Sequence, residues 1–215
     1  MSCRAVIFDL DGVLTDTAIY HFHAWKALAD ELGIAFTEHD NEQLKGVDRL
    51  GSLRWILQKG GLTLSEAEEA RLMQQKNAHY LELIDHMTAA DLYPGVQPLF
   101  AELRQSGIKI GLASASKNAA FVVERLGIAA QFDYIADANE VVNSKPDPEV
   151  FLLAANGLGV APQHCIGVED ALAGIEAINR AGMKAIGIGD AKVLSGALKV
   201  YPDVAAITLT NLLKL

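Results

Sequence analysis

Short apolar runs alternate with amphipathic stretches along most of this chain. "AVIFD" (5–9), "IKIGLAS" (108–114), "HCIGV" (164–168) and "KAIGIG" (184–189) are almost continuously apolar. Strands of that kind are covered on both faces, as in a parallel sheet between helices. Val96, Leu99, Phe100 and Leu103 follow i, i+3, i+4, i+7 spacing, which gives a helix one apolar face, and "QSG" ends it. Leu172, Ile175 and Ile178 mark another helix, stopped by Ala181-Gly182. From residue 95 onward the order is βαβα, which predicts a doubly wound, Rossmann-like α/β domain.

The stretch from Thr17 to about Leu92 breaks the alternation and holds no convincing strand. Phe22, Trp25, Leu28, Ala29 and Leu32 make one helical face. "SLRWILQKGG" (52–61) reads as a second helix with a Gly-Gly stop. Residues 65–84 read as a third, with Ser65 and Glu68 spaced as a capping box. The expected organisation is an α/β core from residues 1–16 and 93–215, with an all-helical cap, 17–92, inserted after the first strand.

In a parallel sheet, sites form at the carboxyl ends of the strands. Asp9, Asp11 and Gly12 end the first strand, and Ser114 to Asn118 end the second. Lys145 precedes Pro146 in "NSKPDPE", and Glu169-Asp170 end the "HCIGV" strand. Crowded carboxylates raise one another's pKa or need a cation. A hard divalent ion such as Mg²⁺ answers that need, and Lys145 with the Ser114 hydroxyl adds donors suited to a phosphoryl group. The alternative is four unrelated turns with Asp and Ser in ordinary loop roles.

The 215 residues carry a net charge of −9, with 51% hydrophobic and 21% charged positions. There is ample material for a core and no basic stripe for nucleic acid. Two cysteines, Cys3 and Cys165, fit neither a disulfide framework nor a zinc site. The N-terminal apolar run is short and broken by Asp9, unlike a signal peptide, and no segment reaches the ~20 apolar residues of a membrane span. The expectation is a cytoplasmic monomer acting on a small molecule.

"DLDGVLTDT" (9–17), "ASASKN" (113–118), "KPDPEVF" (145–151) and "GVEDALAGIEA" (167–177) together resemble the haloacid dehalogenase-like phosphotransferase superfamily. The resemblance implies that Asp9 is the nucleophile that takes the phosphoryl group, and that Asp11 is the general acid/base. It implies that Mg²⁺ is held by the Asp9 side chain, the Asp11 carbonyl and Asp170, with Glu169 close by. Ser114 and Lys145 would bind and stabilise the transferred group.

Residues 15–34, "NEQLKGVDRLGSL" (41–53), Lys76-Asn77 and "LASASKNAAF" (112–121) are most similar to the sugar-phosphate mutases of that superfamily. This implies interconversion of β-D-glucose 1-phosphate and glucose 6-phosphate through the 1,6-bisphosphate. A mutase holds two phosphates at once. Arg49, Ser116, Lys117 and Asn118 would hold the parked one. Lys45, Gly46 and Val47 would face the sugar from a cap loop, and Lys76 would reach its hydroxyls. Thr17, His21 and Trp25 share a helix face. The resemblance makes His21 a partner of Asp11 and the sugar, links Thr17 to positioning Asp11, and counts Trp25, Ser52 and Ala115 among the substrate contacts. One departure stands at Asp48, where these mutases more often carry Ser. Its carboxylate is expected to point to solvent. Asp16 is expected to cap a helix or bond across the hinge. The competing readings are a sugar-phosphate phosphatase of the same superfamily and a catalytically silent binding domain.

Overall fold

In the computed structural model, which describes residues 3–215, six parallel strands form one sheet. They are β1 (Ala5–Phe8), β2 (Lys109–Leu112), β3 (Tyr134–Ile135), β4 (Cys165–Glu169), β5 (Lys184–Ile188) and β6 (Lys199–Tyr201), in the order β3-β2-β1-β4-β5-β6. β1 is central because its four residues are apolar and wholly buried. Ala5 sits opposite Lys109 on one side and Cys165 on the other. This register brings the carboxyl ends of β1, β2 and β4 level.

Side chains alternate across the sheet, so each face feeds its own apolar cluster. Val6, Phe8, Ile110, Leu112, Ile166 and Val168 pack on one face with α5 (Val96–Gln105), α6 (Ala119–Arg125) and α9 (Leu209–Leu213). Ala5, Ile7, Cys165 and Ala185 pack on the other with α7 (Glu149–Leu158) and α8 (Leu172–Arg180). Val96, Leu99, Phe100 and Leu103 are all buried along α5. Ile175 and Ile178 are buried in α8, but Leu172 is 48% exposed. It occupies the first turn of α8, where the helix leaves the sheet and borders the functional cleft.

Four helices form the insert that follows β1, before α5 leads into β2: α1 (Ala18–Glu31), α2 (Glu38–Glu42), α3 (Arg49–Lys59) and α4 (Glu66–Ile84). They bury a third cluster of their own, built on Trp25, Leu28, Phe36, Leu53, Ile56 and Leu72. Ser65 and Glu68 form the expected capping box at α4. α3 begins at Arg49 rather than residue 52, because the Asp48 side chain accepts from the Gly51 N–H and caps the helix one turn earlier. The two chain segments that enter and leave this helical insert touch: Thr15 Oγ1 donates to the Asp91 carbonyl at 2.7 Å, and the Tyr93 N–H donates to the Leu14 carbonyl at 2.9 Å. Asp16 accepts from the Ala18 N–H beside this crossing.

Candidate active site

The carboxyl ends of β1, β2 and β4 and the inner faces of α1, α3 and α4 enclose a cleft of about 1190 Å³. At its floor, Lys145 is 5% exposed, yet its ammonium is satisfied. Nζ donates to Asp9 Oδ1 and Glu169 Oε1 at 2.6 Å each, and to the Ala113 carbonyl at 3.1 Å. Both carboxylates hold the lysine's pKa up against the burial that would lower it. Glu169 spends its other oxygen on the Ala171 N–H at 2.8 Å. Its two oxygens are thus engaged, and its first task here is to hold Lys145.

Asp9, Glu169 and Asp170 each place one carboxylate oxygen in a common cluster less than 4.8 Å across. Burial raises Asp9 to about 7, with Lys145 opposing and Glu169 adding to the rise. Burial, then Glu169 and Asp9, raise Asp170 to about 7. Asp11 is pushed well above the usual carboxylate range by burial, then by Asp9 and Asp170. Carboxylates this crowded fit a divalent cation with oxygen ligands, which would restore their ionised forms. The backbone is shaped around the cluster. Gly12 has φ +73, and a Cβ there would lie 2.1 Å from Asp170 Oδ2. A Cβ on Gly174 would lie 2.0 Å from Glu169 Oε1, so α8 can approach that carboxylate only through glycine.

Ser114 follows β2 and is 1% exposed, and its Oγ accepts from the Ser116 N–H at 3.1 Å. Ser116 Oγ accepts in turn from the Asn118 N–H. Ala115, Ser116 and Lys117 line the cleft. Asn118 does not; its Nδ2 donates to Asn77 Oδ1 on α4 at 2.8 Å, so it ties the insert to the sheet domain.

The insert supplies the opposite wall. Lys45 Nζ lies 3.5 Å from Asp170 Oδ2 and 3.0 Å from Glu42, so it reaches the acidic cluster. Gly46, with φ +74, and Val47 follow it on the rim, and buried Ser52 lies one turn into α3. Arg49 is half-buried, lines the cleft, and has no carboxylate within 4.0 Å among the described residues.

Lys76 is 3% exposed, and not the exposed helix lysine its surroundings in sequence would suggest. It sits in an aromatic cage, 4.6 Å from the centroids of both Trp25 and Tyr80, with Nζ 2.7 Å from His21 Nδ1. Burial, with Arg49 nearby, lowers its pKa to about 7. Burial, then Lys76 and Arg49, depress His21 well below the usual imidazole range. The sequence expectation paired His21 with Asp11, but here the ring nitrogen meets Lys76 and the ring stacks on Tyr80 at 4.1 Å. Trp25 lies beneath Lys76 and supports it.

Tyr80 was not anticipated at all. Its hydroxyl, the Thr17 hydroxyl and Asp11 Oδ1 are buried without hydrogen-bond partners. Lys76 and Tyr80 are four residues apart on α4, a spacing that puts them on one face, and that was the available signal. Asp48 departs from expectation too. It neither points to solvent nor pairs with Arg49; its Oδ2 accepts from Ser144 Oγ at 2.7 Å.

A parallel α/β sheet with carboxylates, a lysine and a serine at the ends of its central strands is the architecture of phosphoryl-transfer enzymes of the haloacid dehalogenase-like class. A family profile described as haloacid dehalogenase-like hydrolase matches residues 3–182, and the chain belongs to that family. The chain is 47% identical over 208 residues to a β-phosphoglucomutase of Bacillus subtilis, covering 96% of this chain and 92% of that one. It is 31% identical to a phosphorylated carbohydrates phosphatase of Thermotoga maritima, covering 85% and 83%. The crystal structure of a β-phosphoglucomutase from Clostridium difficile superposes with a TM-score of 0.97 at 46% identity, covering 99% of this chain and 96% of that one.

Proposed function

We propose that this protein is a β-phosphoglucomutase, interconverting β-D-glucose 1-phosphate and glucose 6-phosphate through an aspartyl-phosphate enzyme and β-glucose 1,6-bisphosphate. The observation that carries the reading beyond phosphate hydrolysis is the second cationic pole of the cleft. Arg49 lines the cleft with no carboxylate within 4.0 Å among the described residues, and Lys117 lines the same space. A phosphatase needs one phosphate site; a mutase needs a second for the phosphate that is not reacting. The close relationship to a Bacillus subtilis β-phosphoglucomutase supports the same choice.

An oxygen of Asp9 attacks phosphorus, and the phosphorus–oxygen bond to the sugar breaks. Asp11, whose carboxyl burial and then Asp9 and Asp170 push above the usual range, gives a proton to the departing sugar oxygen. In the return step Asp11 takes the proton from the other sugar hydroxyl as that oxygen attacks the aspartyl phosphate. Ser114 and Lys145 hold the three equatorial oxygens of the moving group. Arg49, Ser116 and Lys117 anchor the idle phosphate, with Asn118 holding their loop to α4. The His21–Lys76 pair, with Thr17 beside Asp11, meets the sugar between the two poles. Asp9, Asp170 and the Asp11 carbonyl would hold Mg²⁺, with Glu169 behind them. The ion would neutralise charge on the phosphoryl oxygens. Residues 17–92 act as a cap that closes to exclude water and opens to let the bisphosphate turn round. The partner is a small sugar phosphate. The overall charge of −9 disfavours nucleic acid, and among the described residues no helix is long and apolar enough to cross a membrane. A cytoplasmic monomer is part of this reading.

The test is priming. With β-glucose 1-phosphate and Mg²⁺, glucose 6-phosphate forms rapidly once a trace of β-glucose 1,6-bisphosphate phosphorylates Asp9. Release of inorganic phosphate at the same rate with and without the bisphosphate overturns the mutase reading in favour of a phosphatase.

A further inference from the structure

The contact between Asp48 and Ser144 joins residues 96 positions apart, one on the helical insert and one on the sheet domain. Each end is fixed independently. Asp48 Oδ1 accepts from the Gly51 N–H at 2.6 Å, which locks the carboxylate to the start of α3. The Ser144 loop is held from behind by Glu149, whose two oxygens accept from the Val142 and Asn143 N–H groups at 2.8 Å each. The Ser144 carbonyl accepts from the Asp147 N–H. Among the described residues, the hydroxyl of Ser144 makes the only hydrogen bond from this stapled loop to the insert. Its neighbour in sequence is Lys145, which grips Asp9. The neighbour of Asp48 is Arg49. One hydrogen bond thus links the two segments that carry Arg49 and Lys145.

We propose that Asp48 is a positioning residue that latches the cap: its bond to Ser144 holds Arg49 at a fixed place over the phosphate-binding end of the sheet. The other contacts across this boundary are weaker candidates. Lys45 and Asp170 are 3.5 Å apart at the acidic cluster, where a bound cation competes; Asn77 with Asn118 is a neutral amide pair; and the ion pair of Arg125 with Asp85, at the C-terminal end of α4, is exposed and screened by solvent. A 2.7 Å bond to a carboxylate is the charge-assisted kind. The proposal rests on the closing cap of the function proposed above.

Its loss weakens the closed state in which substrate is held. Ser144→Ala removes the latch and leaves the helix cap of α3 intact. It is expected to raise KM for β-glucose 1-phosphate about tenfold, with kcat within about twofold and an unchanged melting temperature. Asp48→Asn keeps an acceptor for Gly51 and is expected to act in the same direction. Adding Ser144→Ala to Asp48→Ala is expected to change KM no further, since one bond is lost only once. A KM for Ser144→Ala within threefold of the parent, or full additivity of the two changes, overturns the latch. If the parent enzyme releases inorganic phosphate instead of glucose 6-phosphate, the mutase reading fails. The same KM ratio, read from phosphate release, still decides the latch.

Discussion

Lys76 is buried in the cleft wall at a cost to folding, and replacing it separates function from stability. Lys76 is 3% exposed, and burial, with Arg49 adding to it, depresses its pKa from 10.5 to about 7. Between pH 7 and 10.5 the unfolded chain therefore binds a proton that the folded chain does not. Unfolding is favoured by that proton uptake, so the wild-type protein gains stability as pH rises through this window. The full displacement of the pKa corresponds to about 5 kcal/mol against the folded state, of which about 4 still remains at pH 7.5. Lys76→Met removes the linkage and places a polarisable apolar chain against Trp25 and Tyr80. It also leaves His21 Nδ1 without its partner, at a cost of roughly 1–3 kcal/mol. The net expectation is a variant more stable than the parent at pH 7 and catalytically crippled. Urea unfolding of both proteins at pH 7 and pH 9.5 is the assay. The variant's advantage is expected to be larger at pH 7 than at pH 9.5 by about 3 kcal/mol. A difference that does not change with pH refutes the buried, depressed lysine.

Asp9→Asn keeps the shape of the cleft floor but removes the nucleophile. Treated with β-glucose 1,6-bisphosphate, the parent is expected to show a phosphate adduct on the intact protein by mass spectrometry, and the variant none. Asp9 and Asp170 stand at about 7 when folded, above the ordinary carboxylate range. In the absence of metal the folded state binds more protons than the unfolded one between about pH 4 and 7, so stability falls as pH rises through that window. Added Mg²⁺ needs the ionised carboxylates, so calorimetry is expected to show a larger rise in melting temperature with Mg²⁺ at pH 8 than at pH 6.

The sheet was legible where strands of four or five residues were almost continuously apolar: β1, β2, β4 and β5 stood out within a residue or two. β3 and β6 have two and three residues, too few to carry a pattern, and they lie at the two edges of the sheet. The polar groups at the strand ends were legible because each ends an apolar run abruptly. The insert wall was less so, since its chemistry depends on which helix faces meet. Nothing local to Lys76 announces burial; the cage comes from α1 and α4 crossing so that Trp25, His21 and Tyr80 surround it. Tyr80 belongs to no motif, and its unpartnered hydroxyl becomes visible only once Thr17 and Asp11 are placed around it. With α3 expected to begin at residue 52, nothing in the sequence marked position 48 as a helix cap. With the true start at Arg49, a carboxylate at position 48 is an N-cap, and its second oxygen is free to meet Ser144.

Phosphorus NMR of one reaction decides the central claim, because it separates every product of β-glucose 1-phosphate in a single spectrum. The purified protein is given that sugar phosphate, Mg²⁺ and a trace of β-glucose 1,6-bisphosphate. The expected result is growth of the glucose 6-phosphate signal to an equilibrium mixture, with inorganic phosphate staying at the trace level. Inorganic phosphate growing in place of glucose 6-phosphate contradicts a mutase and assigns the second cationic pole to something other than a parked phosphate.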